Sequence, residues 1–213
     1  MGFSVQIVHT NTKSIANEAT YDAPVVVAIP STNLELAVRS AKLMSRRAGT
    51  DGLILILEDV ERSGFIATCN TAFKMSSGGY FVYAAQDAFA GRLWLKIAVH
   101  QIEKHRKNML AFNDGKWHGL LASFGMVKRE WAQANYKGEL FCPLYHSHFG
   151  DAELTVIAKQ QDSLCFSPRS VLLEVDWEKD DRKVNRDDKN MFRRRAASGF
   201  DGKLKATGNV SLL

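Results

Sequence analysis

Two unbroken apolar runs set the architecture open to this chain. Residues 25–29 read Val-Val-Val-Ala-Ile between Pro24 and Pro30, and residues 53–57 read Leu-Ile-Leu-Ile-Leu after an Asp51-Gly52 turn. A strand with one wet face alternates polar and apolar residues. A strand covered on both faces does not, so runs like these belong inside a parallel sheet. A third run, Tyr80 to Tyr83, follows Gly78-Gly79. Helical patterns lie between them. Thr32 and Glu35 have capping-box spacing. Leu34, Ala37, Val38, Ala41 and Met44 then form an apolar stripe, with Arg39, Lys42 and Arg46 outside it. Further helices are expected over 62–75 and 91–107, the latter ending on Lys104, His105, Arg106 and Lys107, where cations suit a helix C-terminus. The order β-α-β-α-β-α predicts an α/β fold: a mostly parallel central sheet with helices on both faces.

The later chain carries weaker signals. A strand is expected over 108–112, a turn over 113–116, a helix over 127–136, a helix over 151–161 and a last strand over 171–175. Residues 139–149 are aromatic and histidine-bearing. Residues 1–22 are polar and read as an adapter or edge segment. From Asp176 the composition turns charged and small. Three parts follow: an N-terminal segment over 1–23, one α/β domain over 24–176, and a basic tail or lid over 177–213. Within the tail, Asp187 and Asp188 precede Lys189 to Ala197, a short helix with acids first and bases last.

Composition narrows the function classes. No apolar run is long enough to span a bilayer. The first 22 residues lack the basic-then-apolar order of a signal peptide, so a cytoplasmic protein is expected. Cys69, Cys142 and Cys165 are odd in number and far apart, which predicts buried free thiols rather than a disulfide framework. The net charge of +5 suits a phosphate-bearing or polyanionic partner. A nucleic-acid-binding module is therefore one alternative. Against it, acids interleave the bases up to the tail, and no helix-turn-helix, zinc or RNP pattern is present.

All three apolar strands run into polar corners: Pro30-Ser31 with Asn33, Glu58-Asp59, and Gln86-Asp87. Right-handed crossovers bring such corners to one edge of the sheet, where ligands of open α/β sheets collect. Each acid also has a plainer reading, as a solvated loop residue at Glu58 and Asp59 or a helix cap at Asp87 and Asp151. His146 and His148 would point the same way on a strand and are candidate metal ligands. Trp117 and Trp131 read first as core residues and second as platforms for a sugar.

Taken in order, these stretches resemble family-2-type glycosyltransferases with the GT-A fold. Residues 25–33, VVVAIPSTN, resemble the family's first strand with its Pro-x-x-Asn. Residues 53–59, LILILED, resemble its second strand, whose acids hold the nucleotide. Gly64 to Asn70 and then Gly79 to Asp87 resemble the segment leading into the metal-binding Asp-x-Asp. Residues 148–154, HFGDAEL, are similar to the later motif that carries the catalytic base. The resemblance covers roughly residues 24–175.

It implies a nucleotide-sugar donor, most often a UDP-sugar, and a divalent cation, Mn2+ or Mg2+. Pro30, Ser31, Asn33, Glu58, Asp59 and Gln86 would line the nucleotide site. Asp87 would hold the metal and diphosphate, with His146 and His148 as further ligands. Asp151 would be the base of an inverting transfer, with Glu153 second in line. The tail lies beyond the resemblance; its own residues read as a solvated tail, as an anionic-surface contact, or as a lid in which one arginine of Arg193 to Arg195, Arg193 or Arg195 foremost, matches the diphosphate oxygens in a bidentate way. The acceptor, whether glycan, lipid-linked or nucleic acid, stays open. Two departures stand out: Gln86-Asp87-Ala88 has one aspartate where the family often has two, and Gly150-Asp151 replaces its Glu-Asp. They keep a non-catalytic scaffold of the same fold as a further alternative.

Overall fold

The computed structural model describes residues 4–13, 20–175 and 185–204. The chain runs β1 (Val5–Asn11), β2 (Tyr21–Asp22), β3 (Val25–Ser31), α1 (Leu34–Arg47), β4 (Gly52–Glu58), α2 (Phe65–Lys74), β5 (Ser76–Ser77), β6 (Tyr80–Tyr83), β7 (Ala88–Ala90) and α3 (Trp94–His105). It continues through β8 (Met109–Asn113), β9 (Gly125–Lys128), α4 (Arg129–Asn135), α5 (Gly150–Gln160), β10 (Leu164–Glu174), α6 (Arg186–Ala197) and α7 (Gly199–Gly202).

Eight strands form one curled sheet in the order β1-β4-β3-β6-β9-β8-β10-β7. The two apolar runs are its middle. β3 is buried along its whole length, and it pairs parallel with β4 from Val26↔Leu53 to Ser31↔Glu58. That register brings the two following corners out side by side. β6 pairs parallel on the other side of β3. Successive side chains on a strand point to opposite faces, and here both faces are covered. Val25, Val27 and Ile29 pack with Ala41, Met44, Trp94 and Ala98 of α1 and α3. Val26, Ala28, Leu55 and Leu57 pack with Cys69, Phe73, Leu154 and Ile157 of α2 and α5. This two-faced burial is the physical reason the runs do not alternate.

Several local expectations shift. Residues 5–11 form the edge strand β1, parallel to β4. Asn33, not Thr32, caps α1: its Oδ1 accepts the Leu36 N–H at 3.1 Å. Val127 and Lys128, expected in a helix, belong to β9. There Val127 faces Phe81 on β6 and Met126 faces Leu110 on β8, and ladder pairing on both sides overrides helical propensity. The last strand starts at Leu164, with a register shift between Phe166 and Val171. Gly78 is required where it stands: at φ +125° a Cβ would lie 1.8 Å from the Ala23 carbonyl oxygen. The three cysteines are free, as expected, but only Cys69 and Cys142 are buried; Cys165 is partly exposed. Among the described residues no helix is long and apolar enough to cross a membrane. Residues 1–3 and 14–19 of the N-terminal segment, residue 176, and 177–184 and 205–213 of the basic tail lie outside the described residues.

Candidate functional site

A cavity of about 860 Å³ opens where β3, β4 and β6 end, and the start of α5 and the β8–β9 loop form its far walls. One wall is a corner knotted by Gln86. Its Oε1 accepts the Ser31 hydroxyl at 3.1 Å, the Thr32 N–H at 2.9 Å and the Asn33 N–H at 3.0 Å. Beside it Asp59, 5 % exposed, accepts the Ser63 N–H on Oδ1 and the Gly64 N–H on Oδ2, both at 2.8 Å. Those bonds shape the turn into α2. Gly64 sits at φ +95°, and a Cβ there would come within 2.6 Å of the His146 carbonyl oxygen. The missing side chain lets the 146–148 segment lie against the start of α2.

The opposite wall carries Asp151, in the first turn of α5. Burial pushes its carboxyl up to about 6, and nearby Glu174 adds to the rise, while its own N–H and that of Ala152 oppose it. His148 lines the same wall. Burial holds its imidazole below the ordinary value against the pull of Asp188. The third wall comes from the β8–β9 loop. Asp114, buried, accepts the N–H groups of Lys116 and Trp117 at 2.9 and 2.8 Å and the Ser123 hydroxyl at 2.5 Å. This brace sets Lys116, Trp117 and Phe124 on the cavity, with the Lys116 ammonium 5.4 Å from the Trp117 ring centroid.

Pro30, Ser31, Asp59, Gln86, Asp87, His148 and Asp151 thus come together around one cavity, from segments more than a hundred residues apart in sequence. The other expected site residues lie elsewhere, each for a visible reason. Asn33 spends its side-chain oxygen on the α1 cap. Glu58 turns to His9 on β1, 3.5 Å away. His146 offers backbone rather than ring: its N–H goes to Asp188 and its carbonyl accepts from Ile66. Glu153 is 0 % exposed and lies under the cavity wall, because residues two apart on a helix diverge by about 200°. Its carboxylate accepts Arg195 Nε and Nη2, each at 2.7 Å, the Tyr136 hydroxyl at 2.8 Å and the Tyr145 hydroxyl at 2.6 Å. Arg195 is therefore committed to Glu153, and through Nη1 to Asp201 at 2.8 Å. Arg193 is on the exposed side of α6.

For a metal, the donor set at the corner is thin. The Gln86 carbonyl is taken by three donors, and His146 does not line the cavity. Among the described residues, no group of three or more His, Cys, Asp or Glu side chains is placed to hold an ion by itself. Asp87 remains as a cavity carboxylate. That suits a cation arriving with a diphosphate, since Mg2+ commonly takes one or two carboxylates plus phosphate oxygens.

Sequence reasoning missed Lys116, Phe65, Thr68, Phe124 and Glu174 on the walls. The turn at Asn113-Asp114-Gly115 was readable. Its carboxylate's grip on Ser123, nine residues later, was not.

No protein-family model and no curated protein matches the chain. Among solved structures it is similar to the mannosyltransferase PcManGT from Pyrobaculum calidifontis in complex with GDP-Man and Mn2+. The TM-score is 0.56 at 15% identity, covering 83% of this chain and 70% of that one. It is also similar to S. aureus TarS, with TM-score 0.59 and 14% identity, covering 86% of this chain and 41% of that one. A shorter TarS chain in complex with UDP-GlcNAc gives the same score and identity over 68% of its length. The chain thus has a glycosyltransferase-like α/β fold, and it spans less than half of the longer TarS chain.

Proposed function

We propose that this chain is a glycosyltransferase of the family-2 type, moving a sugar from a nucleoside diphosphate donor to an acceptor hydroxyl. The observation that carries the reading is Asp151. It is a carboxyl held up to about 6 by burial, on a cavity whose facing wall is the row of parallel-strand corners. A base that titrates near neutral pH takes a proton efficiently without being locked in either state. Likeness to transferases of the same fold supports the reading.

The reaction follows from the placement. The nucleoside end of the donor lies against Pro30, Ser31 and Asp59, and the diphosphate lies toward Asp87. The acceptor hydroxyl enters on the Trp117 side. Its oxygen bonds to the anomeric carbon as its proton passes to Asp151, and the bond from that carbon to the diphosphate oxygen breaks with its electron pair. One displacement inverts the anomeric centre and needs no covalent enzyme intermediate. A divalent cation, when bound with the donor at Asp87, supplies charge neutralisation for the leaving diphosphate.

The test is a thermal-shift panel of UDP, GDP, ADP and CDP, each with and without Mn2+. UDP comes first by resemblance, and GDP is included because a structural neighbour holds GDP-Man. Binding to the folded state raises the melting temperature by mass action. At least one diphosphate is expected to do so more strongly with Mn2+. No shift with any of them sinks the donor site.

A further inference from the structure

Helix α6 turns one stripe inward. Asp188, Phe192 and Arg195, four and then three residues apart, are all buried on it. Each meets a different part of one stretch of chain. The Asp188 carboxylate accepts three consecutive backbone N–H groups, that of His146 on Oδ1 and those of Ser147 and His148 on Oδ2, all at 2.9 Å. The Phe192 ring packs on Phe149, with centroids 5.2 Å apart. The Arg195 guanidinium grips Glu153. In order, α6 touches 146–148, 149 and 153. Ser147, His148, Phe149 and Asp151 of that stretch form a wall of the cavity.

The stretch needs such support. Phe149 stands at φ +70°, a conformation a bulky side chain rarely adopts and one that persists only where the surroundings over-determine it. Three successive N–H groups converging on one point form a concavity that suits an anion. Here the anion is supplied by the chain itself. Burial raises the Asp188 carboxyl, but the three N–H donors and His148 outweigh it and hold the group below the usual carboxylate range.

We infer that α6 is a splint for the cavity wall, and that Asp188 is a positioning residue for the segment carrying His148, Phe149 and Asp151. It acts through the backbone and touches no substrate. The structural half of this inference stands alone, and the kinetic half rests on the glycosyl-transfer reading above. A described tail helix clamped in this way is part of the site's frame, in place of the arginine-bearing lid expected from sequence.

The experiment compares the full-length chain with Asp188→Ala and Asp188→Asn, and with Lys189→Ala on the exposed side of α6 as control. Two readouts are taken, each with and without sodium formate as a free carboxylate. The first is hydrogen exchange of the 146–148 amides. The second is release of UDP or GDP from UDP-GlcNAc or GDP-mannose. In Asp188→Ala the three amides are expected to exchange about tenfold faster or more, the scale of losing charge-assisted bonds to local opening. Turnover should fall by about 10²-fold, the cost of a small misplacement remote from the chemistry. The KM for donor should change far less. Formate should slow the exchange and restore part of the turnover, an effect a merely destabilised fold would not give. Asp188→Asn keeps the volume and reports the same direction if the alanine variant does not fold. Unchanged amide exchange in both variants overturns the splint. Faster exchange with undiminished turnover overturns the positioning role. If the wild type releases no nucleotide from either donor, the exchange arm with formate alone decides the splint, and the transfer reading is decided by the thermal-shift panel.

Discussion

Two regions meet on α5, and they treat their carboxylates in opposite ways. Asp151 faces the cavity. Glu153, two residues on, faces the interior beneath α6. Glu153 is fully buried and Asp151 partly exposed to the cavity, yet both lose hydration, so desolvation alone does not separate a chemical group from a structural one. Saturation does. Glu153 has a bidentate guanidinium and two phenols on its two oxygens. The network answers in kind: Arg195 is held more firmly charged by Glu153, and the Tyr136 and Tyr145 hydroxyls are pushed up by burial and by that carboxylate. Asp151 has two backbone N–H groups from its own helix turn, which do not offset its burial. The fully partnered acid anchors an element, and the under-partnered one keeps a proton affinity near neutrality.

The largest expected effect breaks this comparison directly. Asp151→Asn should lower kcat by about 10²–10⁴-fold, the usual contribution of a general base, while donor affinity by calorimetry holds. Glu153→Gln should lower the folded fraction instead. If Glu153→Gln abolishes transfer in folded protein and Asp151→Asn does not, the roles are reversed. The pH dependence carries its own sign. A carboxyl whose folded pKa lies near 6, above its ordinary value, binds its proton more tightly folded than unfolded, so its contribution to stability is lost as pH rises from the unfolded value through about 6. Turnover, which needs the ionised base, should rise through the same window. Asp151→Asn should therefore gain stability over the wild type at pH 8 and lose that gain at pH 4, as read by urea titration at the two pH values.

Next in size is the anchoring side. Arg195→Ala leaves Glu153 buried with its charge unmatched, and breaking a buried pair from one side costs roughly 3–5 kcal/mol. Urea unfolding should read that loss. Arg195→Met combined with Glu153→Leu should recover only part of it: apolar residues of like volume often replace a buried pair without penalty, but here the Tyr136 and Tyr145 hydroxyls lose their acceptor. A loss under about 1 kcal/mol for Arg195→Ala would mean that the ion network contributes little and that Asp188 and Phe192 seat α6.

How much of this was readable from sequence follows from how local each signal is. The runs at 25–29 and 53–57 declared β3 and β4 because continuous apolarity is a local property, and the corners after them followed from handedness. The helix carrying Asp151 was also readable. Its partner was not. Arg195 lies 42 residues from Glu153, and a basic cluster on a charged helix gives no sign that one guanidinium is buried. Gln86 is the same case: a corner glutamine read as a nucleotide-site residue, whereas its oxygen closes a turn 53 to 55 residues upstream. β9 was hidden for a related reason. Four residues flanked by helical composition become a strand only through ladders to β6 and β8.

A smaller effect sharpens the same contrast at the diphosphate corner. Asp87 lines the cavity while its neighbour Gln86 is committed to Ser31, Thr32 and Asn33. Asp87→Asn should weaken Mn2+-dependent binding of the diphosphate by about tenfold, near the value of one charge-assisted contact. Binding without metal should barely change, and calorimetry separates the two. Gln86→Ala should instead lower the melting temperature. Equal Mn2+-dependent affinity in Asp87→Asn and wild type would move the cation to another carboxylate of the cavity.

The smallest effect is expected from another pair of neighbours, Glu58 and Asp59. Sequence treated them as one acidic corner, but their side chains diverge. Asp59 is buried, holds the turn into α2 and lines the cavity. Glu58 is the last residue of β4 and faces β1, where its carboxylate sits 3.5 Å from His9 with both side chains substantially exposed. An exposed pair of this kind contributes roughly 0–1 kcal/mol. Glu58→Gln should therefore change stability by no more than that and leave donor affinity within about twofold of wild type. Asp59→Asn places an amide N–H against the Ser63 or Gly64 N–H and should disturb both the turn and the donor. Calorimetry with the diphosphate that scores in the thermal-shift panel distinguishes the two. A Glu58→Gln loss as large as that of Asp59→Asn would mean that Glu58 swings from His9 to the nucleotide on binding.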